Sequence, residues 1–121
     1  MSLISAFNKN LFDFVDELTE KFPEDENLPY YKNMLLLLKK TNPKQIVLYY
    51  KQYIEPYNQY IFSKDESFFL NNDYGEDKGG NQWSLLEGMR MKVLWKEMSD
   101  ISKNACWEYF NLLSKIALKV N

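Results

Sequence analysis

Histidine is absent from all 121 residues of this chain. That removes the side chain used most often for proton transfer near neutral pH and for holding transition metals. Cysteine occurs once, as Cys106, so no intramolecular disulfide can form and a reducing compartment is expected. One thiol and no imidazole cannot supply the nitrogen and sulfur ligands of structural zinc. Arginine also occurs once, as Arg90, which argues against specialised, bidentate phosphate recognition. The longest aliphatic run, Met34 to Leu38, is far shorter than a membrane span. The first residues have neither a basic stretch nor a long apolar core, and Ser2 stands where myristoylation would need glycine. Secretion and membrane attachment are therefore not expected. The net charge of −2 gives no global electrostatic reason to bind a polyanion.

What the chain does have is aromatic surface. Eight Phe, nine Tyr and three Trp supply enough large side chains to hold a domain of this size together. Leu3, Phe7, Leu11, Phe14, Val15, Leu18 and Phe22 recur at three- and four-residue steps, the stripe of an amphipathic helix that Pro23 stops. A second helix opens near Pro29, buries Tyr31, Met34, Leu35 and Leu38, and ends in Lys39 and Lys40. Asn42-Pro43-Lys44-Gln45 is a third start signal, with Asn42 as cap, Pro43 in the first turn and Gln45 reaching back. Tyr49, Tyr50, Tyr53 and Tyr57 lie along that helix, and Pro56 must bend or end it.

Asn71 to Asn81 reads as a long acidic loop containing Gly75, Gly79 and Gly80. Trp83 to Met98 then forms a helix that is apolar around much of its circumference. A last helix, capped by Ser99 or Ser102, turns Cys106, Phe110, Leu113, Ala117 and Val120 inward. The expectation is a single all-α domain over 1–121, a bundle of about five helices with that loop before the fourth long one. Its core should contain Phe7, Leu11, Phe14, Leu18, Leu35, Leu38, Ile46, Tyr50, Leu86, Val93, Phe110 and Leu113.

Sites of chemistry are scarce. Cys106 sits on a buried stripe without a base beside it in the sequence, as a packing residue would. The glycines are not followed by the Lys-Ser/Thr of a phosphate loop. The acids Asp65, Glu66, Asp73, Glu76 and Asp77 miss the calcium-loop pattern, because Glu76 takes the glycine place and Gln82 the last carboxylate place. A hydrolase or calcium module is the weakest reading, and no cofactor is expected.

Charge is segregated along the chain. Acids dominate from Asp13 to Glu26, whereas Lys32 to Lys51 carries five lysines and no acid. Neighbouring helices of opposite charge explain this simply. The alternative is a nucleic-acid face of Lys39, Lys40, Lys44 and Lys51 interleaved with tyrosines that stack bases.

Asn42-Pro43-Lys44 running on to Tyr53-Ile54-Glu55-Pro56-Tyr57, Asp65 to Tyr74, and Leu94-Trp95-Lys96-Glu97-Met98-Ser99 with Trp107-Glu108-Tyr109-Phe110 form one set of motifs. Together they resemble a group of short, uncharacterised proteins of giant nucleocytoplasmic DNA viruses. The resemblance implies a viral protein of the host cytoplasm or the virion and transfers no catalytic residues. The leading expectation is a non-enzymatic interaction protein whose partner is a host or viral protein or itself. Phe68, Phe69 and Leu70 would anchor that partner, with Asp73, Tyr74 and Trp83 at the rim, because scaffolded loops commonly carry binding.

Overall fold

The Ser2 hydroxyl accepts from the Ser5 backbone N–H and so opens helix α1, Leu3–Lys21, the usual work of a serine cap. The computed structural model describes residues 2–67 and 91–120. Helix α2 spans Asn27–Thr41 and α3 spans Pro43–Tyr53. Pro56 falls in a 3-10 turn, Glu55–Tyr57, which bends the chain into the short α4, Asn58–Phe62. Helices α5, Met91–Glu97, and α6, Asp100–Leu118, complete the order. All regular structure among the described residues is helical.

Helices α1 and α6 form the central pair, with α3 against both and α2 covering α1 and α3. Phe7, Leu11, Phe14, Val15 and Leu18 of α1 meet Cys106, Phe110, Leu113 and Ala117 of α6 in one apolar cluster. Phe14 stands edge-on to Phe110, ring centroids 5.2 Å apart, and Phe7 does the same to Tyr50 at 5.1 Å. Tyr50 is fully buried, yet its hydroxyl shares a 2.7 Å bond with Ser114 Oγ. Trp95 of α5 packs edge-on against Trp107, so α5 is held on α6 by two indoles. Asn8 is buried as well, and its side-chain amide donates to the Pro43 carbonyl, fixing α1 to the start of α3.

Most of the expected core is buried, with four differences. Leu38 is only half-buried, and Val93 is 45 % exposed because Leu94 and Trp95 take the inward side of α5. Met34 is exposed and Tyr31 half-buried, since α2 buries Leu28 and Leu35 instead. Leu86 lies outside the described residues. The Asn42 capping box does not form: its side chain makes no cap hydrogen bond, and its backbone carbonyl accepts from the Gln45 N–H. At the other candidate start it is Ser99, not Ser102, that caps α6.

Candidate interaction surface

Helix α2 is fastened at its start and along one side. Asp25 accepts from the backbone N–H groups of Asn27 and Leu28 and so caps the first turn. Lys32 pairs with Asp16 of α1, and the Lys39 ammonium lies 5.2 Å from the centroid of the Phe12 ring. Leu28, Lys32, Leu35 and Lys39 thus mark the side facing α1. The acidic and basic stretches of the sequence do become neighbouring helices there.

The opposite side of α2 has no cover among the described residues. Tyr30 is 60 % exposed and Leu37 66 %, with Met34 between them and Leu36 close by. Tyr30, Met34 and Leu37 follow a four- and a three-residue step, so they form one stripe. Tyr30 also leans edge-on against Tyr31, ring centroids 5.3 Å apart. Elsewhere among the described residues the exposed large apolar side chains are single (Leu3, Leu48, Phe62, Val93) or, in α6, spaced well apart as Ile101, Leu112 and Leu118. Isolated exposed apolar residues are normal on a protein surface, whereas a contiguous stripe is a candidate for contact.

The four lysines of the polyanion reading are drawn to different tasks. Lys51 donates to Glu55 at 3.0 Å and to the Ala117 carbonyl at 2.8 Å, completing the end of α6. Lys39 is spent on Phe12. Lys44 lies with Lys119 beside an open cleft of about 240 Å³ at the start of α1, and Lys40 alone of the four stands on the outward side of α2. Tyr50, one of the tyrosines beside those lysines in the sequence, is sealed in the core. Phe68, Phe69, Leu70, Asp73, Tyr74 and Trp83 lie outside the described residues.

Titratable groups in the interior serve packing. Burial pushes the Cys106 thiol up to about 12, with the charge of Glu17 adding to it, and its sulfur lies 3.6 Å from that of Met98. A thiol held protonated is not a nucleophile. Tyr109, only half-buried and bonded to Glu17 at the surface, is also pushed up to about 12, by burial first and then by that 2.9 Å bond and the nearby carboxylate charge. A cleft of about 410 Å³ is open and lined by Lys21, Phe22, Pro23, Glu24, Asp25, Leu94 and Glu97. Among the described residues no three carboxylates or thiols come close enough to hold a metal ion, and no helix is long and apolar enough to cross a membrane.

Compared with known proteins, the chain matches no family model, no curated protein and no solved structure.

The α2 stripe is hidden in the sequence because spacing alone groups Tyr31, Met34, Leu35 and Leu38 into one core face. The signal that could have found it is excess: α2 carries more apolar residues than one buried face can take.

Proposed function

We propose that this chain is a non-enzymatic interaction protein and that the outward side of α2 is its docking surface. One observation supports this above the rest: Tyr30, Met34 and Leu37 form an exposed apolar stripe on a helix that is well anchored on its other side. Tyrosine, methionine and leucine on a rigid element suit a protein partner, because they supply large apolar contact area and the backbone beneath them is already ordered. A viral origin, with work in the host cytoplasm or the virion, rests on the motif resemblance alone. The polyanion reading has less support, since Lys39 and Lys51 already have partners within the fold.

The test is lysine cross-linking with mass spectrometry in cells expressing the full chain, wild type against Leu37→Asp. Circular dichroism should be the same for both, because Leu37 contributes little to the core. Intermolecular cross-links from Lys32, Lys40 or Lys44 that disappear in the variant support the reading. An identical set of cross-links in both proteins overturns it.

A further inference from the structure

The outward stripe of α2 is charged at its two ends with opposite signs. Glu26, Tyr30, Asn33, Leu37 and Lys40 follow three- and four-residue steps, Met34 stands four after Tyr30 and three before Leu37, and all six are exposed. They therefore share one face. The helical backbone angles of Glu26 place it on the same turn geometry as the helix it precedes. Neither Glu26 nor Lys40 takes part in the ion pairs found among the described residues.

We propose that this face pairs with the same face of a second copy of the chain, the two α2 helices running antiparallel about a two-fold axis between Asn33 and Met34. The proposal rests on α2 being the docking surface and names its occupant. Reversal about that point sets Tyr30 opposite Leu37 of the second copy and Asn33 opposite Met34. It also brings Glu26 beside Lys40 of the second copy, twice in each dimer by symmetry. A parallel arrangement would place Glu26 against Glu26 and Lys40 against Lys40, and the helix dipoles would also be aligned unfavourably. A uniformly acidic partner helix would meet Glu26 and a uniformly basic one Lys40. Only a segment with the same polarity, reversed, satisfies both ends, and an isologous contact provides that segment automatically. The helix is about 22 Å long and offers three apolar anchors. That is less than a stable interface of ~1,200 Å² or more requires, so the dimer is weak, dissociating on the order of 100 μM.

Sedimentation equilibrium of the purified full chain, from about 10 μM to about 1 mM, reads this directly. The wild type should pass from monomer to dimer, and Leu37→Asp should stay monomeric. Glu26→Lys and Lys40→Glu should each weaken the dimer roughly three- to tenfold, since each turns two exposed attractions into repulsions. Mixing those two variants in equal amounts should restore association. In the mixed dimer one chain presents lysine at both positions and the other glutamate at both, so each contact again joins opposite charges. A monomeric wild type at about 1 mM overturns the proposal, as does a dimer indifferent to Leu37→Asp or charge variants that mixing does not rescue. If the purified chain is monomeric while its cellular cross-links still depend on Leu37, the second copy is refuted as occupant and the docking surface stands. Loss of both removes both.

Discussion

Tyr50 and Ser114 offer a sharp test of the core, because they predict an asymmetry rather than a simple loss. The Tyr50 hydroxyl shares a 2.7 Å bond with Ser114 Oγ and lies 3.4 Å from the Phe110 carbonyl, with both side chains buried. Ser114→Ala removes the short bond and leaves the phenol only the long contact, in a place water does not reach. A buried polar group left so poorly served costs about 1–3 kcal/mol. Tyr50→Phe leaves the other half of the pair, but Ser114 has an escape. Phe110 lies four residues back in the same helix, and a helical serine can turn its hydroxyl onto that carbonyl. The loss should then be about 1 kcal/mol, close to the net worth of one ordinary hydrogen bond. The double variant removes both polar groups, so its loss should fall short of the sum of the singles by about 1 kcal/mol. Urea unfolding followed by circular dichroism gives all four corners, and each kcal/mol corresponds to about 3–6 °C in Tm at this size. Additive losses, or a Tyr50→Phe loss larger than that of Ser114→Ala, would refute the reasoning.

Other outcomes follow from single features. Phe110→Ala should lose about 3–5 kcal/mol in the same assay, since the ring is fully buried and edge-on to Phe14. Lys64 has φ of 56°, a left-handed conformation that disfavours residues with a Cβ, so Lys64→Gly should stabilise by about 0.5–1 kcal/mol. Stability should fall in alkali: burial holds the Cys106 thiol protonated up to about 12 and raises the Tyr50 phenol above its ordinary range, with the charge of Glu55 contributing to the latter. The unfolded chain releases these protons first, the thiol near 9 and the phenol near 10, so stability is full below about 9 and declines from there as pH rises toward the raised values of the folded chain. Cys106→Ala should delay the onset, which unfolding curves taken at successive pH values will show.

The parts of the fold most legible in the sequence are those with a single phase. In α1 the apolar residues fall on one stripe with acids opposite, and in α6 Cys106, Phe110, Leu113 and Ala117 keep the same three- and four-residue steps, so the burial of these residues follows the period. Ser99, one of two serines the sequence offers, caps α6 directly, whereas the Ser2 cap of α1 has no place in the apolar pattern that marks the helix. Asn42 fails as a cap because it joins two helices: it also ends α2, its backbone N–H donating to the Leu38 carbonyl. Asn8 cannot be read as buried at all, because its amide nitrogen finds its acceptor on Pro43, thirty-five positions along the chain. Lys51 reads outward by its charge, yet its stem crosses to the end of α6, a contact without any local trace.

Helix α2 shows why an exposed apolar stripe can be invisible in a sequence that contains all of it. The run Met34 to Leu38 goes more than once round the helix, since five consecutive residues exceed one turn. Hydrophobicity there has no direction. The phase is set by Leu28 and Leu35, which are fully buried, and Lys32 reaching Asp16 and Lys39 lying over Phe12 stand on that same side. These two lysines stand four and eleven positions after Leu28, and Leu35 stands seven after it, so all four point one way. With that side turned to α1, Tyr30, Met34 and Leu37 face outward. Of the lysines that suggest a polyanion in the sequence, Lys39 and Lys51 make contacts within the fold, whereas Lys40 stands outward.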